Sequence, residues 1–316
     1  MMKRTTFGKI CVGTAALACA WAVAAPQAQA AGWNYSWDSF ADGTGNRNQN
    51  GGDGRHSVGY QSDYEFFGMA VLEDLEADTI TFAFNTNLNI DGWYSNGAQD
   101  KNIGIGDLFI NLDPTKSFTE VEGTESLLAV RFAKSNDSGL SGTGLFSNVV
   151  GSDVTNVNNG WQSYSDYQNY VNSKGGSFEY IDGLSNSAAM SYLGQHGESV
   201  VQAGSGTKLG DVNVTTDALT LGAMGLDFTG AASAAGLNSP ALGTQTYAVS
   251  FARSLLPAGE LNWMAHVMAE CANDIMGTSG SFAAVPPAEE EVPEPTALAA
   301  LALLGVGMLG ARKRRA

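Results

Sequence analysis

Between Thr79 and Phe84 the side chains alternate strictly, with Ile80, Phe82 and Phe84 on one side and Thr79, Thr81 and Ala83 on the other. A period of two is that of a β-strand, whose successive side chains point to opposite faces. A wholly apolar face then needs a second layer to cover it. The pattern recurs: Leu128, Val130 and Phe132 oppose Arg131, and Tyr247, Val249 and Phe251 repeat the spacing. Residues 33–40 and 64–72 are further strand candidates, as are residues 103–111, with Ile105, Leu108 and Ile110 around Asp107. Residues 261–271 are apolar on both faces, as a strand inside a sheet is. Between these runs stand clusters of Gly, Asn, Ser and Asp, such as residues 41–55, and the acidic stretch 73–78 reads as a solvated hairpin. Strand material alternating with turn material predicts a mainly β chain, an antiparallel β-sandwich of jelly-roll-like form.

One short helix is expected. Ser163 can cap it, Asp166 stands three positions on, Tyr167, Tyr170 and Val171 form a stripe, and Gly175 would end it. Residues 177–180 and 207–228 suggest more short strands, and residues 231–243 an Ala- and Gly-rich loop.

The ends of the chain differ from this body. Lys3, Arg4 and Lys9 precede an apolar run from Ile10 to Ala25, and Ala28-Gln29-Ala30 places small residues where a signal peptidase reads. That order predicts a signal peptide over residues 1–30, cut before Ala31. At the other end Glu289-Glu290-Glu291 leads into Pro293-Glu294-Pro295. Sixteen uncharged residues follow, from Thr296 to Ala311, and then the basic stop Arg312-Lys313-Arg314-Arg315. A 16-residue helix rises about 24 Å, short of a hydrocarbon core of about 30 Å. It can span transiently if the flanking basic side chains snorkel and the bilayer thins, with the positive end held in the cytoplasm. The prolines keep the backbone just outside extended and open to cleavage.

This tail resembles the PEP-CTERM sorting signal of Gram-negative bacteria. The resemblance implies recognition of Pro293, Glu294 and Pro295 by exosortase, a membrane transpeptidase-like cysteine enzyme that removes the tail. The body resembles a group of exosortase-dependent surface proteins of cyanobacteria and proteobacteria, through Tyr64-Glu65-Phe66-Phe67-Gly68-Met69-Ala70, residues 102–109, residues 129–133 and the closing residues 265–274. Related sequences often carry Glu-Cys-Gly-Asn-Asp where this chain has Ala272, so any role needing a positive φ there would strain this one. The resemblance implies a location at the cell surface or in the extracellular matrix, and implies no enzymatic activity.

Composition narrows the partners. Removing residues 1–30 and 312–316 takes away seven of 16 basic residues and none of 32 acidic ones, leaving a net charge of −23. Such a surface repels nucleic acid and anionic lipid and attracts divalent cations. Cys271 is then the one cysteine left, so the body holds no internal disulfide. The organisation expected is a signal peptide (1–30), a β-sandwich (31–283), an acidic Pro-rich linker (284–292) and the sorting segment (293–316).

No G-x-S-x-G elbow, H-E-x-x-H or phosphate loop occurs. If residues 261–271 are extended, His266 and Glu270 share a face while Cys271 points the other way, so these residues make no Cys–His pair and no catalytic residue is assigned. No cofactor is required. Calcium has one weak candidate: Asn87-Leu88-Asn89-Ile90-Asp91-Gly92 fits the first half of an EF-hand loop, with Asn87, Asn89 and Asp91 as ligands. Ala98 stands where the bidentate Glu belongs. Asp38, Asp42, Asp53 and Asp107 could join another site only through the fold. Trp93-Tyr94, and Trp161 with Tyr164, are candidates to stack on sugars. The function expected is that of an exported, non-enzymatic surface or matrix protein. The alternative is a carbohydrate-binding or adhesive module engaging exopolysaccharide.

Overall fold

The computed structural model describes residues 32–45, 57–178, 183–194, 197–237 and 242–285. The signal peptide with Ala28, Ala30 and Ala31, the linker from Pro286 on, and the sorting segment with Pro293, Glu294, Pro295 and Arg312 to Arg315 lie outside the described residues, as do Asp53, His56 and His196.

The strands are Asn34–Trp37 (β1), Thr44–Gly45 (β2), Ser57–Val58 (β3), Phe66–Asp74 (β4), Thr79–Thr86 (β5), Trp93–Tyr94 (β6), Asn102–Ile103 (β7), Leu108–Asn111 (β8), Leu127–Arg131 (β9), Gly144–Ser147 (β10), Gly151–Asp153 (β11), Glu198–Val201 (β12), Thr207–Gly210 (β13), Asn213–Thr215 (β14), Gln245–Ala252 (β15), Leu261–Met268 (β16) and Ile275–Phe282 (β17). Two antiparallel sheets carry the fold. One has the order β1-β4-β5-β15-β14, the other β13-β10-β9-β8-β16-β17. The antiparallel β-rich fold read from the alternation is present. Ile80, Phe82 and Phe84 enter the core between the sheets, with Met69 and Val71 of β4 and Val249 and Phe251 of β15. From the second sheet they meet Leu108, Ile110, Leu128, Val130, Trp263 and Val267. Full burial of one such side chain contributes about 1.5–3 kcal/mol. The acidic hairpin turns at residues 75–78, and β16 lies inside its sheet between β8 and β17.

The opposite faces are covered too, by helices. The expectation of one short helix is corrected: the described residues form Phe118–Val121 (α1), Tyr164–Ser173 (α2), Asn186–Leu193 (α3), Ala218–Ala223 (α4) and Phe228–Ala234 (α5). The anticipated helix is α2. The Ser163 hydroxyl accepts from the Asp166 amide, and Gly175 takes φ +78° just past the end. Residues 207–228, read as strands, form β13 and β14 and then α4, and α5 replaces part of the expected loop. Asp217 and Asp227 cap them by accepting from the amides of Thr220 and Gly230. Leu221, Phe228 and Ala232 pack on Trp37, Ala70, Ala83 and Ala248. On the far side, Phe118, Tyr164, Tyr167, Val171 and Tyr192 pack on Phe109, Ala129 and Phe146. The small residues Ala70, Ala83 and Ala248 let the helical layer approach the sheet closely, which is why the second face of β5 reads as weakly apolar.

Candidate functional site

The turn from β16 to β17, residues 269–274, ties distant segments together. The expected strand over residues 261–271 ends at Met268, so Glu270 and Cys271 belong to this turn. Glu270 accepts from the Gly104 amide at 2.6 Å and from the Asp137 amide. The Cys271 carbonyl accepts from the Trp161 amide, and the Asn273 carbonyl accepts from both the amide and the hydroxyl of Thr44. Asp274 Oδ2 accepts from the Phe66 amide at 2.7 Å. Its Oδ1 accepts from the Ile275 amide at 2.8 Å and the Tyr167 hydroxyl at 3.1 Å. Ala272 adopts φ +51°, the left-handed conformation that favours glycine.

Burial dominates the charge states here. It raises Glu270 to about 8 against the two amides that favour its ionised form, and pushes the Cys271 thiol up. His266 takes no part in a Cys–His pair. Its ring stacks on Phe109 (5.2 Å) and meets Phe118 and Tyr192 edge-on, and burial lowers it to about 3, only partly offset by the Glu198 backbone. The ring is a neutral core member.

Asp274 has acidic company. Asp42, Glu65 and Asp274 are fully buried, and each offers a carboxylate oxygen such that all three lie within 4.8 Å of one another. Asp38, 3% exposed, feels the charges of Asp42 and Asp274. Asp38 Oδ1 accepts from the Ser39 amide at 2.9 Å, but its Oδ2 has no hydrogen bond, and the oxygens of Glu65 make no well-formed one, the Gly43 backbone alone acting on them. Burial first, then the charges of Asp42 and Asp274, raises Asp38 well above the usual carboxylate range. Glu65 is raised in the same way, by burial and then by Asp274, Asp42 and Asp38, with the Gly43 backbone a minor offset. Asp274 is raised to about 7 by burial, against its three donors. Gly43 fits because a Cβ there would lie 2.2 Å from Glu65 Oε2. The chemistry offered is a set of hard oxygen donors with no nitrogen or sulfur among them.

The sequence candidates fall elsewhere. Asn87 pins two loops: its Nδ2 donates to the carbonyls of Tyr60 and Ser62, and its Oδ1 accepts from Thr244. Asn89 accepts from the Asp91 amide in a local turn, and Asp91 is exposed. Asp107 is buried but fully engaged, accepting from Asn136 Nδ2 (3.0 Å), Ser138 Oγ (2.6 Å) and the Val201 amide (2.9 Å). Asp38 and Asp42 do meet. Glu65 and Asp274 stand in two of the stretches that carried the family resemblance, but neither spacing nor composition marked them as ligands.

Of the aromatic candidates, Tyr164 is buried in the core, while Trp93 and Tyr94 are 37% and 57% exposed. Trp161 packs on Tyr170 (4.7 Å) and donates to the Thr44 hydroxyl. Both line a cavity of about 210 Å³ together with Ser95, Ile103 and Asn273. No helix among the described residues is long and apolar enough to cross a membrane.

Residues 291–315 match the family model for the PEP-CTERM protein-sorting motif. No curated protein and no solved structure matches the chain. The motif implies export, processing by exosortase and sorting to the cell surface.

Proposed function

We propose that this chain is a non-enzymatic surface or extracellular-matrix protein. In this reading signal peptidase cuts before Ala31, the Thr296 to Ala311 segment holds the chain briefly in the inner membrane, and exosortase releases the β domain after recognising Pro293, Glu294 and Pro295. The carrying observation is the sorting-motif match over residues 291–315. The body supports it: Cys271 and His266 are both buried, His266 among aromatic rings, and the carboxylates of Asp42, Glu65 and Asp274 gather in the interior, away from any substrate. The test is fractionation of the native host producing either the unaltered chain or one with Pro293, Glu294 and Pro295 all changed to Ala. The unaltered protein should reach the surface or medium, and the triple variant should stay in the inner membrane. Equal distribution of the two would remove the sorting role.

A second reading, binding of exopolysaccharide, rests on the exposed Trp93-Tyr94 pair beside the cavity lined by Trp161 and Tyr170. Aromatic faces of this kind stack on sugar rings. Pull-down on the host's own polysaccharide, with Trp93→Ala and Trp161→Ala as controls, separates a ligand-binding domain from a passive one.

A further inference from the structure

Asp38 and Asp42 lie on the segment between β1 and β2, Glu65 directly precedes β4, and Asp274 directly precedes β17. These three stretches are remote in sequence and meet in the interior through their carboxylates. We propose that Asp42, Glu65 and Asp274 hold one structural calcium ion, with the charge of Asp38 beside them, and that the ion clamps the β1–β2 segment, the start of β4 and the β16–β17 turn together.

Glu65 is a fully buried carboxylate with no side-chain donor and no well-formed hydrogen bond on either oxygen, which is costly, and it costs more beside other carboxylates. Among the described residues, the groups acting on Asp38, Glu65 and Asp274 are carboxylates, backbone amides and the Tyr167 hydroxyl, with no cationic side chain. A divalent cation supplies Glu65 with a counter-charge. The spacing suits it: oxygens bound to one ion at 2.3–2.6 Å lie at most about 5 Å apart, and those of Asp42, Glu65 and Asp274 lie within 4.8 Å. The Phe66 and Ile275 amides and the Tyr167 hydroxyl fix the orientation of Asp274, as outer partners orient a ligand.

The donor set selects the metal. Zinc favours nitrogen and sulfur, and among the described residues the group offers neither. Magnesium keeps several waters in a strict octahedron, which a fully buried cluster accommodates poorly. Calcium accepts six to eight oxygens in a flexible shell and binds carboxylates in one- or two-oxygen modes. The site lies wholly in the β domain and stands whether or not the tail is processed.

The test is isothermal titration of the full chain, stripped with EGTA, with calcium, magnesium and zinc chlorides in parallel, beside thermal unfolding under each condition. Calcium should bind once per chain. It should raise the unfolding midpoint by roughly 5–10 °C at a hundredfold excess over Kd. Glu65→Gln should weaken binding at least tenfold, and Asp91→Asn, in the EF-hand-like segment, should leave it unchanged. Asp38→Asn is the second variant, with a loss in the same direction. Absence of binding and of any midpoint shift at about 10 mM calcium would overturn the proposal. So would an equal response to magnesium or zinc, or binding that survives both Glu65→Gln and Asp38→Asn.

Discussion

Two buried acidic regions of this molecule are built on opposite terms. Around Asp107 every donor and acceptor closes within the protein: Asn136, Ser138 and Val201 donate to its carboxylate, and the Arg131 guanidinium donates to Asn136 in turn. Around Glu65 the carboxylates of Asp42 and Asp274 converge, yet no side chain donates to Glu65. Both sites are equally buried, so burial alone does not separate a structural tie from a binding site. The difference is whether the donors needed by the charge come from the chain. At Asp107 they do, and the group joins β8 to the loops at 136–138 and 201. At Glu65 no side chain supplies one, and in our proposal a cation bound in the interior takes that place.

The largest effect that can break this comparison is at Asp107. Asp107→Ala strands three donors, two of them buried, and should cost about 3 kcal/mol, read as a lower urea midpoint at unchanged slope. The loss should be the same with calcium or with EGTA. A loss that vanishes in calcium would place Asp107 in the ion site and erase the contrast.

Next come two pH limbs of opposite sign. Burial holds Glu270 at about 8 against an ordinary 4.5, so its contribution is complete below 4.5 and lost as pH rises through 8. Burial holds His266 at about 3 against 6.5, so its contribution is complete above 6.5 and lost as pH falls toward 3. Denaturation midpoints measured from pH 4 to 9 should show Glu270→Gln flattening the alkaline limb. His266→Phe, which keeps the ring stacked on Phe109, should flatten the acid limb. Exchanged assignments would mean that other groups govern the profile.

The smallest effect concerns Ala272, whose left-handed backbone costs about 1–2 kcal/mol for a residue with a Cβ. Its methyl is buried, so Ala272→Gly should gain only about 0.5 kcal/mol net, measured by the same titration. A destabilised variant would show that the methyl contact outweighs the strain.

Most of the sandwich was legible because its strands keep a two-residue period against one shared core: Ile80, Phe82 and Phe84 are apolar for the reason that β5 faces the second sheet. Helices α4 and α5 were not legible, since each is under eight residues and too short for a 3.6-residue stripe to emerge. Their caps, Asp217 and Asp227, were the signal available. The helix α2 was readable from Ser163, Asp166 and Gly175, where capping and termination agree. The acidic site was legible only in part. Asp38 and Asp42 stand in one turn-rich loop and Glu65 follows 23 residues after Asp42, but Asp274 joins them through a pairing across more than 200 residues, which no local pattern carries. Ala272 counted in the sequence against a positive φ at this position, yet the backbone adopts φ +51° there.

The most direct measurement is equilibrium unfolding of the unaltered chain and of Glu65→Gln, each in EGTA and in calcium. The account predicts an inversion: without calcium the Gln variant is the more stable, because one unpartnered buried charge is gone, and with calcium the unaltered chain is the more stable. The same order of stability under both conditions would contradict it.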